Sequence, residues 1–321
     1  MAAHDDTLTR PPPAVATPSA AGVARSWEPS RLASATRAAV VHVRTPGGEA
    51  VRPFANPLRA AAHLWRLRRL TWQLAERELA ARFRGSFLGI LWSFLLPLMM
   101  LAVYTFVFAI VFQTRWVGQD GQRPIVALIL FAGIVPFNLL SEVLATAPQA
   151  ITANPGYVKR IVFPLEVLPL VRFLVALVNA LASMVVLVFG LLAMRGNLPA
   201  TLPLFPVVWL PLLLYAVAAA YGLAAFGVFV RDVTHAVGAL LPFLFFLTPI
   251  VYPAEAVPEG FRFVAHLNPI AHVVDDSRRV LVFGMQPGWP VLAANATLAA
   301  ALAFVTFLAF MKSKRAFHDG L

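Results

Sequence analysis

The sequence contains no cysteine, which removes disulfide frameworks, thiol nucleophiles and thiolate metal sites and leaves the redox compartment open. Charge is scarce: Asp, Glu, Lys and Arg make up 13% of the residues, against about a quarter in a soluble domain. No Walker A lysine loop, no dinucleotide-binding glycine fingerprint and no His-Glu-x-x-His pair occurs, so nucleotide chemistry must come from another chain. His235, His266 and His272 are scattered and read as helix-end or interface residues rather than ligands. Without a Ser, His and Asp grouping, the chain is not expected to be an enzyme, and no metal site is expected. Residues 1–30 lack a continuous apolar stretch of signal-peptide type, so the first membrane span is expected to serve as its own insertion signal.

What remains is apolar. Of the 321 residues, 60% are hydrophobic, and after Leu88 they gather in runs of about 20 or more, the length a helix needs to cross hydrocarbon. The expected fold is an all-α integral membrane protein. Six transmembrane helices are expected near 88–112, 125–147, 166–194, 204–229, 236–253 and 291–311. The fifth is the weakest, because Pro242, Pro249 and Pro253 interrupt it and free backbone groups that must find partners. Between spans five and six, 254–290 is too long for a simple turn, carries Pro258, Pro269 and Pro287, and predicts a re-entrant or short-helix segment.

Ahead of the spans, residues 1–56 are rich in Ala, Pro, Thr and Arg with few large apolar groups, and predict a disordered cytoplasmic tail. Residues 57–84 predict an N-terminal amphipathic interface helix, followed by the six-span domain over 85–321. In that helix Leu64, Leu67, Trp72, Leu74 and Leu79 share one broad sector, with Arg66, Arg69, Glu76 and Arg77 opposite. Arg68, Glu78 and Arg82 interrupt the apolar side, where snorkelling makes the arginines tolerable. Trp65, Arg69, Trp72 and Arg77 are its candidate membrane-surface contacts.

The net charge of +11 sits at the ends of the apolar runs, so it reads as a topology signal and not as nucleic-acid binding. With the N-terminus inside, about 19 Lys and Arg residues lie on the cytoplasmic side and about 6 outside, which places both termini in the cytoplasm. Arg77, Arg82 and Arg84, nearest span one, carry the strongest vote.

Two constellations stand out. The inner loop between spans two and three runs Asn154-Pro155-Gly156-Tyr157-Val158-Lys159-Arg160 and on to Phe163-Pro164. It predicts a short proline-bounded helix, either projecting to a cytoplasmic partner or serving as a turn whose two basic residues set topology. Glu142 late in span two and Arg172 early in span three lie at similar depth, and intramembrane charges are costly. They could pair across the adjacent helices and shape an inner entrance; a structural pair or simple snorkelling of each is the plainer reading. On the outer side, Asp275, Asp276, Arg278 and Arg279 read as a solvated helix end. Gly85 and Gly89 have the spacing of a helix-packing motif, which is frequent by chance.

The run Arg77-Glu78-Leu79 through Arg82-Phe83-Arg84-Gly85-Ser86-Phe87-Leu88-Gly89-Ile90-Leu91-Trp92-Ser93, followed by Pro97-Leu98 and Tyr104-Thr105-Phe106-Val107-Phe108, resembles the opening of the ABC-2 permeases that export polysaccharides. Phe163-Pro164-Leu165-Glu166, Arg231-Asp232, Thr248-Pro249-Ile250-Val251-Tyr252-Pro253 and Asn268-Pro269 are similar to that family's later motifs, in the same order, over roughly 75–320. The resemblance implies a homodimeric permease in the bacterial inner membrane, served by two copies of a separate ABC ATPase that holds ATP and Mg, with no cofactor in this chain. It implies that Asn154 to Arg160 is the coupling loop to the ATPase and that the substrate is a lipid-linked, O-antigen-like glycan. Tyr104, Phe106, Phe108, Phe112, Phe243, Phe245, Phe246 and Tyr252 would then line a glycan path, since aromatic planes accept sugar C–H faces without fixed hydrogen bonds. Lipid-facing packing is the plainer role for such residues. Glu142 and Arg172 would shape the inner entrance. The competing classes are an exporter of drugs or simple lipids, an ATP-independent secondary transporter, which would show internal repeats and midplane carboxylates, and a membrane scaffold without transport, which would not need the coupling loop.

Overall fold

The computed structural model describes residues 54, 56–112, 123–158 and 163–318, all within one compact unit, Gly47–Leu321. Residues 1–53 of the expected tail lie outside the described residues, as do Lys159 and Arg160 of the inner loop. Every regular element among the described residues is helical.

Asn56 opens α1 (Pro57–Arg66) by accepting a hydrogen bond from the Leu58 amide at 2.9 Å, with Pro57 at the first helical position. The single interface helix expected over 57–84 is kinked at Leu67, whose N–H bonds to both His63 and Leu64 carbonyls, and α2 (Arg68–Arg82) continues beyond it. The turn after α2 needs left-handed backbone, with φ of 81° at Gly85 and 52° at Gly89. Gly85 therefore lies in a turn and Gly89 opens the short 3-10 turn Gly89–Leu91, so the two do not share a helix face and the helix-packing motif suggested by their spacing is absent.

Then come α3 (Trp92–Tyr104), continued by a π-helical stretch Thr105–Val111, and α4 (Arg123–Thr146), continued by the 3-10 turn Ala147–Gln149. A four-residue helix, α5 (Pro155–Val158), precedes α6 (Val167–Arg195), α7 (Phe205–Phe229) and α8 (Val233–Leu247). The segment before the last long helix is a chain of short helices: 3-10 turns at Ala254–Ala256 and Glu259–Phe261, α9 (Arg262–Leu267), and α10 (Pro269–Arg278) with its π-helical continuation Arg279–Phe283. Last comes α11 (Trp289–Ser313).

Four of these helices are long and apolar enough to cross a membrane: Ile125–Gln149, Val167–Arg195, Leu202–Phe229 and Trp289–Phe317. Trp92–Phe108 and Val233–Leu247 are apolar but shorter. The fifth expected span stops early because Thr248 precedes Pro249, and a residue before proline favours extended backbone. Helix α4 is the centre of the bundle. Its residues from Ile125 to Phe137 are buried on every side, as expected of a helix apolar all round, and α3, α6, α7, α8 and α10 pack around it. Helix α11 lies along α7, joined by the Tyr221, Phe307 and Phe310 ring cluster with centroids 5.2 and 5.3 Å apart.

Candidate functional site

One end of the bundle gathers most of the charged side chains singled out above. Helix α2 lies against α6: Ala75 is buried beside Val167, Val171 and Val175, with Leu67, Leu70, Leu74 and Leu79 packed on the same cluster. Trp72, expected on this buried side, is about half exposed and donates to Glu76. It falls in line with Leu58 and Trp65, all three exposed at seven-residue intervals, so α1 and α2 present a second, outward apolar stripe suited to a headgroup layer. Arg68 sits over the Trp65 ring at 4.8 Å. Arg69 and Arg77 are exposed.

The suggested pair between Glu142 and Arg172 is not formed. Each takes its partner from α2: Arg172 bonds Glu78, and Glu142 accepts from Arg82 at 2.8 Å. Asn179 of α6 donates to both Glu142 oxygens at 2.9 and 3.0 Å. The sequence placed Glu142 and Arg172 at similar depth, but α2 inserts its own charges beside each of them, and a nearer opposite charge wins in a poorly screened setting.

A third polar node went unnoticed in the sequence. Glu166, immediately ahead of α6 and 2% exposed, accepts from His63 of α1 at 2.8 Å and from Lys314 beyond α11 at 2.6 Å. Its main-chain oxygen accepts from the buried Tyr221 hydroxyl of α7 at 3.0 Å. Burial pushes the Glu166 carboxyl up, but hydrogen bonds from Lys314 and His63 and the Lys314 charge outweigh it and hold the group below the usual carboxylate range. Lys314, just past the last long helix, is thus a structural partner and not only a charge that marks the cytoplasmic end of a span.

Beside the Arg172–Glu78 pair lies a cleft of about 600 Å³. Leu74, Arg77 and Glu78 of α2 form one wall, Asn154, Pro155, Gly156 and Tyr157 a second, and Leu168, Val171 and Arg172 of α6 the third. Three features read separately from the sequence, the interface helix, the inner loop and Arg172, therefore meet in one place. Asn154 caps α5 with its carbonyl to the Tyr157 amide, and its side chain donates to Ala150 at 3.0 Å. Tyr157 and Phe163 stack at 4.4 Å, closing the two ends of the loop on each other. Arg77, exposed at the rim, has room to turn toward an anion or an acidic side chain.

The aromatic residues separate into two sets. Tyr104, Phe108 and Phe245 pack against the main core, with Phe245 also 5.3 Å from Phe137. Phe106, Phe112, Phe243 and Phe246 are exposed. Tyr252 bends back to donate to the Phe246 carbonyl at 2.6 Å. The exposed set lies on faces of α3 with its continuation and of α8.

Beyond this end, Arg278 and Asp276 overturn their reading as a solvated helix end. Arg278 is 3% exposed. It donates to the carbonyls of Ile129 at 3.1 Å and Pro249 at 2.8 Å, and to that of Ile250. Its guanidinium passes so close to α4 that a side chain at Gly133 would come within 2.8 Å of it. Asp276, also buried, accepts from the Gly288 amide at 2.9 Å. The available signal was Pro249: a helix broken there leaves carbonyls in need of donors.

Comparison with known proteins gives a consistent picture. The family profile described as ABC-2 type transporter matches residues 69–282. An "O-antigen export system permease protein RfbA" of Myxococcus xanthus is 30% identical over 268 residues, 82% of this chain and 100% of that protein. A Klebsiella pneumoniae protein of the same name is 24% identical over 66% of this chain and 80% of its own length. The "Polysialic acid transport protein KpsM" of Escherichia coli is 25% identical over 65% of this chain and 79% of its own.

Proposed function

The chain belongs to the ABC-2 type transporter family, and from that premise we propose that it is the permease subunit of an ATP-driven exporter that carries a lipid-linked, O-antigen-like polysaccharide out of the cytoplasm. The observation that carries this reading is the similarity to an O-antigen export permease along that protein's entire length. Two copies of the permease pair with two copies of a separate ABC ATPase, which holds ATP and Mg. The six apolar stretches cross the bacterial inner membrane with both termini in the cytoplasm, the shorter α3 lengthened by its π-helical continuation Thr105–Val111.

The ATPase grips the loop from Asn154 through Tyr157 to Lys159 and Arg160. The cleft walled by this loop, α2 and α6 supports that assignment, because movement of α5 there bears directly on the interface helix and on the start of α6. Arg172 and Glu142, each tied to α2, shape the inner entrance. The exposed Phe106, Phe112, Phe243 and Phe246 line the glycan path where two permeases face each other, with Tyr104, Phe108, Phe245 and Tyr252 behind them as support.

Deleting the gene tests the reading. Polymer still attached to its lipid carrier is expected to accumulate on the cytoplasmic face while surface glycan is lost. Normal surface glycan in the deletion strain would refute it.

A further inference from the structure

A second, smaller cavity of about 250 Å³ lies between α3, α4 and α6, capped by Arg82 at the end of α2. We propose that it is a subsite for a single sugar ring of the transported glycan, an inference that rests on the export reading above. Its upper walls are apolar, with Met100, Ile134 and Val135, yet its lining also carries Asn138, Glu142, Asn179 and Ser183.

The hydrogen-bonding capacity of these groups is only partly used. Glu142 Oε1 accepts from Arg82 and Asn179, whereas Oε2 accepts from Asn179 alone, leaving a lone pair open. Ser183 gives its hydrogen to the Asn179 carbonyl at 3.0 Å and keeps its own acceptor sites. No bond within the described residues uses the Asn179 side-chain oxygen or either end of the Asn138 amide. On the α3 wall, the buried Ser93 hydroxyl has no partner among the described residues. Between membrane-crossing helices a buried unmatched group such as the Ser93 hydroxyl costs on the order of several kcal/mol unless something polar occupies the space, and the partly exposed polar groups open onto that same space.

The chemistry of the lining selects the occupant. Arg82 is the only cationic residue on it, and Glu142 already neutralises Arg82 at 2.8 Å, so an anion gains little and meets a carboxylate. Likewise Glu142 already has its counter-charge, which disfavours a cation. Amides, a carboxylate oxygen and hydroxyls that both give and accept suit a neutral polyol. Trp92, tethered through its indole N–H to Ser86 at 2.9 Å, and Phe83 add aromatic surface for the C–H face of a ring. The volume equals about eight waters at their liquid share of ~30 Å³ each. It falls below the roughly 300–1,000 Å³ of sites for drug-sized ligands, so it holds one ring and not a longer stretch of polymer.

The absence of cysteine makes a direct test available. Asn138→Cys in the full chain creates the only thiol, at an exposed position on the cavity that no described side chain needs. Its reaction with N-ethylmaleimide is timed in cells that make the lipid-linked glycan and in cells that cannot. A ring bound roughly four-fifths of the time slows labelling by about fivefold in the glycan-producing cells. Val185→Cys, on the 58% exposed face of α6 away from the cavity, labels equally in both. Ser183→Cys repeats the measurement from the opposite wall should Asn138→Cys fail to accumulate. Equal rates in the two strains at both cavity positions would mean a water-filled crevice and overturn the proposal. Slowing at Val185→Cys to the same degree would also overturn it, as a general conformational effect. Failure of the export reading itself shows independently, as surface glycan that persists without this gene.

Discussion

Arg278 joins three main-chain oxygens from two parts of the chain: Ile129 on the central helix, and Pro249 and Ile250 just past the end of α8. A charged donor buried for this purpose is tolerable because its hydrogens meet acceptors; removing it strands the Pro249 and Ile250 carbonyls and not the charge, while Ile129 keeps its bond within α4. Arg278→Met is therefore expected to destabilise the protein by about 2 kcal/mol or more, from two carbonyls at roughly 1–3 kcal/mol each. The check is the unfolding midpoint of the detergent-solubilised protein, and Arg278→Lys should lie between the two. An unchanged midpoint would show that those oxygens find other donors. Side-chain partners of this kind were the least legible part of the sequence. Glu142 and Arg172 were recognised as costly charges that need partners, but their partners, Arg82 and Glu78, lie 60 and 94 residues away, on a helix whose angle of approach no local pattern encodes. Periodicity reports faces, and the pairing of faces is a tertiary matter.

At the level of elements, composition and spacing were informative wherever one solvent dominates. Long apolar runs marked α4, α6, α7 and α11 to within a few residues, because lipid imposes a length and forbids unpaired backbone. The pattern weakened where a helix has two apolar faces, as in α2, with Ala75 on α6 and Trp72 turned outward. It weakened again past α8, where prolines signalled interruption without specifying the short helices that follow. Close helix contacts are a further feature invisible to hydropathy. On α7, Gly227 lies directly against the backbone of Pro148 in the turn after α4, and an added methyl would land on the Pro148 carbonyl. Backbone cannot swing aside as a side chain can, so Gly227→Ala is expected to push α7 from that turn and cost about 1–3 kcal/mol. Loss of monodisperse, folded protein on size exclusion, relative to Gly222→Ala, checks this. Gly222 faces only the Thr306 side chain at 3.4 Å, and the two variants behaving alike would contradict the packing account.

For the molecule as a whole, the distribution of features follows a division of labour. Charges, the inner loop and the interface helix converge at one end around a 600 Å³ cleft, whereas the exposed aromatic residues of α3 and α8 and their continuations form apolar faces that a single chain leaves uncovered. Such an arrangement suits a permease that is pushed at one end by a soluble motor and closed along its length by a second copy. The most direct measurement is transport of lipid-linked glycan in liposomes that contain the purified chain, with and without its ATPase subunit. The account predicts ATP-dependent transport only when both are present, lost again when the loop at Tyr157 is cross-linked to α2 across the cleft. Transport at the same rate by this chain alone would contradict it.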